Sequence, residues 1–65
     1  MITTGQLRAW EKDVKATVRA AHAGEKRYKN NPTMYGYYNN LALIADVQLA
    51  LVQRLILQSE KQEGV

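Results

Sequence analysis

Between Leu41 and Leu57 the chain places ten large aliphatic side chains, more than a single neighbouring helix can cover. On a helix turning roughly 100° per residue, Leu41, Ala45, Leu49, Val52 and Ile56 fall on one face. Ile44, Val47, Leu51 and Leu55 fall on a second, which Leu43, Ala50 and Leu57 extend. Polar residues keep two narrow strips, Asp46 with Gln53 and Glu60, and Arg54 with Lys61. The stretch is about as long as a short membrane span, but Asp46, Gln48, Gln53 and Arg54 are expensive in hydrocarbon. It therefore reads as a core helix of a soluble protein, with no membrane partner.

The rest of the 65-residue chain supplies one more helix. Thr3-Thr4-Gly5-Gln6 fits a capping box, and Ile2 and Leu7 occupy the positions of a hydrophobic staple. No proline occurs before position 32, and the interior is rich in Ala, Lys, Arg and Glu, so a helix is expected over 3–29, weakened at Gly24. Leu7, Trp10, Val14, Val18, Ala21 and Tyr28 share its apolar face. Ala9, Ala16, Ala20 and Ala23 form a second stripe, small enough for another helix to approach closely.

Asn31-Pro32 joins a good cap to the residue best suited to the first helical position, so residues 30–31 are expected to be the turn and a second helix to cover 32–62. Gly36 and Asn39-Asn40 mark where a kink falls if the helix bends. The competing reading ends a short segment near Tyr38 and restarts at Asn39 or Asn40. Continuity is favoured because Met34, Tyr38, Leu41, Ala45, Leu49, Val52 and Ile56 keep one face across the junction. Residues 63–65 read as a frayed tail.

The expected fold is all-α: an antiparallel two-helix hairpin, 1–65, that completes its core with further copies of itself, most simply as a four-helix bundle dimer. A chain this short sits near the lower limit for a self-sufficient core. It has no cysteine for disulfides or thiolate metal sites, and Met1–Trp10 shows no signal-peptide pattern, so a cytoplasmic location is expected. Leu41, Ile44, Leu49, Leu51, Val52, Leu55 and Ile56 are the residues expected between copies.

Charge is concentrated in the first half, where residues 1–38 carry seven Lys/Arg against three acids. Arg8, Lys12, Lys15, Arg19, His22, Lys26 and Lys29 follow one another at spacings of four and three, a continuous helical face with no acid inside the series. From Arg8 to Lys29 such a ridge extends roughly 30 Å at 1.5 Å per residue. A face kept only for solubility usually mixes signs. A ridge of one sign suits phosphate neutralisation with little regard to base sequence. Tyr28, Tyr35, Tyr37 and Tyr38 lie near its end and are candidates for stacking a base. The plainer account makes Tyr28 and Tyr38 a cap on the core, with Tyr35 and Tyr37 on the rim.

Catalytic machinery is hard to assemble from one His, one Ser and no Cys, and no glycine-rich phosphate loop is present. His22 with Glu25 gives at most part of a metal site, so neither metal nor cofactor is expected. Asp46 reads as a paired structural acid within the apolar helix. The leading expectation is a non-enzymatic, homo-oligomeric binding protein that contacts nucleic acid or a nucleotide through the ridge and the tyrosine tip. The alternative is a small inhibitor or adaptor, akin in size and composition to phage or mobile-element accessory proteins, that docks on an acidic protein surface.

Overall fold

The computed structural model describes residues 2–63 and contains two α-helices, α1 (Thr4–Arg27) and α2 (Pro32–Glu63), packed as an antiparallel hairpin. The described chain is a rod of 52 × 16 × 14 Å. Gly64 and Val65, in the expected frayed tail, lie outside the described residues, and α2 runs through Glu63.

Both helix starts form as their sequences dictate. The Thr3 hydroxyl accepts from the Gln6 amide at 3.1 Å, while the Thr3 amide donates to Gln6 Oε1 at 2.9 Å, so the capping box is complete. Pro32 is the first residue of α2, and Asn31 Oδ1 accepts from the Met34 amide at 3.2 Å. The end of α1 differs from expectation. Its last helical residue is Arg27, and Tyr28 caps it by donating its amide to the Gly24 carbonyl at 2.9 Å. The Asn31 amide then closes the turn onto the Tyr28 carbonyl at 2.9 Å. Lys29 is therefore part of the connection and not of the helix. α2 is unbroken through Gly36 and Asn39-Asn40, since none of them adopts a positive φ.

The helices meet along one seam each. On α1 it runs through Leu7, Glu11, Val14, Val18, Ala21, Glu25 and Tyr28, and on α2 through Tyr38, Ala42, Ala45, Leu49, Val52, Ile56 and Ser59. Both step alternately by four and three, the period of coiled-coil packing. Leu7, Val14, Ala21, Ala42, Ala45, Val52 and Ile56 are buried. At the open end the Thr4 and Ser59 hydroxyls share a 2.5 Å hydrogen bond.

Near the turn the helices come closest at Gly24, which is buried because the Tyr38 ring lies on it. A Cβ there would meet Tyr38 Cδ1 at 2.3 Å. Gly24 is thus the point that allows the contact, beyond the local weakening of α1 expected from its sequence.

Apart from Leu55, the second apolar face of α2 is largely uncovered among the described residues. Leu43, Ile44, Val47, Leu51 and Leu57 are all at least 49% exposed. By length and composition Pro32–Gln62 is also long and apolar enough to cross a membrane, yet only 22% of its most apolar window is buried. Of the residues expected between copies, Val52 and Ile56 are instead buried against α1, and Leu41, Leu49 and Leu55 are half-buried. Ile44 and Leu51 are left outside, because one companion helix covers one seam.

Gly24→Ala is expected to destabilise the fold by roughly 2 kcal/mol, since overpacking of about 3 kcal/mol outweighs a helix-propensity gain of about 1 kcal/mol. Gly36 has nothing within 4 Å of its would-be Cβ. Gly36→Ala should therefore stabilise by up to about 1 kcal/mol. Urea titration followed by circular dichroism, at one fixed protein concentration, checks both signs.

Candidate functional site

α1 carries its cations on the side that turns toward the polar strip of α2, and the hairpin sorts them into two groups. Arg8 forms an ion pair with Glu60 across the helices. His22 Nδ1 lies 3.3 Å from Glu25 Oε1, and its Nε2 lies 4.0 Å from Asp46 Oδ2. Lys15 reaches back to Glu11 at 3.9 Å. These residues have acidic neighbours, two of them supplied by α2. The one-sided series in the sequence is thus partly neutralised in the fold.

Lys12, Arg19 and Lys26 form the other group. They are exposed, spaced seven residues apart, and have no acid within 4.0 Å among the described residues. Seven residues advance a helix by about 10.5 Å and return to nearly the same face, so these three heads make a straight row about 21 Å long. Glu11 and Glu25, which border the row in sequence, turn inward and are half-buried on the α1 seam. That inward turn leaves the row with one sign. Lys29, in the turn, stands beyond its end.

His22 is bracketed by Glu25 and Asp46 at opposite edges of its ring, so the three groups do not converge on one point. Asp46, read from sequence as a paired structural acid, is about half exposed, and its neighbour on α1 is this histidine.

At the tip the tyrosines mostly satisfy one another. Tyr28 and Tyr38 stack with centroids 5.6 Å apart and planes 2° from parallel. Tyr37 meets Tyr38 edge-on at 5.1 Å. The Arg27 guanidinium sits 5.7 Å from the Tyr28 ring centre, a cation–π distance. Tyr28 and Tyr38 are half-buried, while Tyr35 and Tyr37 are 40% and 61% exposed. Of the four stacking candidates, two thus serve as the cap on the core and two remain on the rim. Two surface grooves lie away from the tip, toward the open end. One is lined by Ile2, Thr3, Leu7, Leu55 and Ser59, the other by Arg8, Glu11, Gln53 and Glu60.

Asp46 was expected to be a paired acid, but that it stands beside His22, and that Glu60 pairs with Arg8, were not identified from sequence. The only available signal was the heptad spacing of Asp46, Gln53 and Glu60, which places them on one strip without saying what that strip faces.

No protein-family model, curated protein or solved structure matches this chain.

If the tyrosine tip is a structural cap, Tyr38→Ala removes the ring that covers Gly24 and should cost about 3 kcal/mol, the lower end for truncating a packed aromatic. That corresponds to a melting temperature lower by about 10 °C or more for a domain of this size. Tyr37→Ala should shift it by no more than a few degrees. Differential scanning calorimetry on the two variants separates them.

Proposed function

We propose that this chain is a non-enzymatic helical hairpin that associates with copies of itself and binds the phosphate backbone of nucleic acid along α1. The observation that carries the reading is the row Lys12, Arg19 and Lys26, exposed and without an acid within reach. A straight row about 21 Å long offers its charges to a repeating polyanion and is too extended for a single nucleotide. The tip also favours the polymer. The Tyr28 ring is already engaged by Tyr38 and by the Arg27 guanidinium, so it is not a free platform for an isolated base.

Binding of this kind neutralises phosphates, releases counterions and reads little base sequence. Tyr35 and Tyr37, exposed at the end of the row, can add stacking on a single strand. Self-association is supported by the five exposed aliphatics on the outer face of α2. Patches of that kind on small proteins mark contact surfaces. The proposed setting is the cytoplasm, where nucleic acid and free protein meet.

Fluorescence anisotropy with a labelled duplex and a labelled single strand, across a salt series, tests this reading. Three phosphate contacts predict a log–log salt slope of about −2 to −3. Lys12→Glu with Arg19→Glu should abolish binding, while Lys61→Glu, on α2, should leave it nearly unchanged. Absence of binding to either strand form at low salt overturns the reading and leaves an acidic protein surface as the target of the row.

A further inference from the structure

Two charges sit on the uncovered side of the hairpin without partners. Asp13 is the one acid of α1 that lies off both the seam and the cationic side. On a helix turning roughly 100° per residue it neighbours Ala9, Ala16 and Ala20, all exposed. Arg54 is the one cation within the exposed apolar arc of α2. Neither makes an ion pair within 4.0 Å among the described residues. The cross-helix contacts Arg8–Glu60 and His22–Asp46 fix the relative heights of the two helices. They place Asp13 level with Arg54 to within about one helical turn.

We infer that the outer face of α2 is covered by α1 of a second copy in a parallel dimer, with Asp13 of each chain paired to the partner's Arg54. The inference rests on the self-association proposed above and specifies its arrangement. Two hairpins can lay their uncovered flanks together about a two-fold axis in two ways. An axis across the rod sets α1 on α1 and α2 on α2, so each unpaired charge faces the partner's copy of its own helix.

An axis along the rod sets α1 on the partner's α2 and leaves every residue at its own height. Only this second arrangement brings Asp13 to the partner's Arg54, and symmetry makes the contact twice. It also pairs unlike sizes. Ala16 and Ala20 of α1 come level with the tall side chains of the partner's α2 around Leu51, so the layers sit at an even spacing. The opposite flank, with Lys12, Arg19 and Lys26, stays outside on both copies.

The test uses two single variants, Asp13→Arg and Arg54→Asp. Each alone turns both cross-chain pairs into like-charge contacts, and its dimer should dissociate about tenfold more readily or worse. Mixed one to one, the two variants restore both attractive pairs across the interface, so a heterodimer should reform with near wild-type affinity. Sedimentation velocity gives the affinities, native mass spectrometry identifies the heterodimer, and circular dichroism confirms that each variant keeps its helices.

A pair formed within one chain cannot be rescued by mixing, so the mixture reports specifically on contact between copies. A wild-type dimer whose single variants associate normally, or whose mixture favours no heterodimer, overturns this arrangement alone. Asp13→Asn with Arg54→Gln, which should weaken the dimer without repulsion, gives a second reading if a reversal variant fails to fold. A wild-type chain that stays monomeric at tens of micromolar, or that partitions onto neutral phosphatidylcholine vesicles as a monomer, overturns the self-association and this inference with it.

Discussion

The organisation of the molecule follows from a mismatch between two helices of the same chain. α2 is apolar around more than half of its circumference, while α1 offers one seam, interrupted by two glutamates, to cover it. Leu7 and Val14 are the only large side chains that α1 buries; its other buried seam residue is Ala21, and Glu11 and Glu25 occupy two further seam positions half-buried. Two helices in contact exclude water only along the line where they meet. The hairpin thus buries Val52 and Ile56 well and leaves Ile44, Val47 and Leu51 wet.

The same mismatch divides the rod into two flanks of different character. On one, α1 and α2 exchange charges through Arg8–Glu60 and His22–Asp46, and the unpaired row of α1 continues outward from them. On the other, Ala9, Ala16 and Ala20 of α1 and Ile44 and Leu51 of α2 are exposed, with Asp13 as an acid among the alanines. Exposed ion pairs contribute little stability, generally under about 1 kcal/mol each. Their importance here is that acids placed on one flank remove charge from Arg8 and His22 while leaving Lys12, Arg19 and Lys26 unopposed. Packing and electrostatics are therefore one arrangement, since the seam that draws Glu11 and Glu25 inward also clears acids from beside the row.

Features that depend on neighbours in sequence were legible before the structure. The capping box at Thr3–Gln6, the start at Asn31-Pro32 and the excess apolar surface of α2 all follow from residues a few positions apart. Features that depend on the height of one helix against the other were not. Which acids of α2 reach Arg8 and His22 is set by where the turn closes, and ending α1 at Arg27 shifts that height relative to a helix running to Lys29. Gly24 shows the same limit. Its low helix propensity is a local property, whereas its value as a landing for the Tyr38 ring depends on a residue of the other helix. On the candidate surface, the seven-residue series was legible as a pattern, but its division into paired and free members was not.

The selection of one α2 seam over its neighbour has a physical cause in the turn. The adjacent seam through Tyr37, Leu41, Ile44, Leu51 and Leu55 has the same period and larger side chains, so apolar burial alone would favour turning it toward α1. The connection 28–31 is too short to let the helices stand apart at the tip. The positions that face each other there are Gly24 and Ala21 on α1 with Ala42 and Ala45 on α2, all buried. Toward the open end the seam widens to Leu7 and Val14 opposite Val52 and Ile56. The small residues bring the two helices together next to the turn, where the Tyr28–Tyr38 stack closes the end, and Ile44 is left outside. The tight connection thus turns the bulkier seam largely outward, and the exposed apolar face of α2 is a consequence of how the hairpin closes.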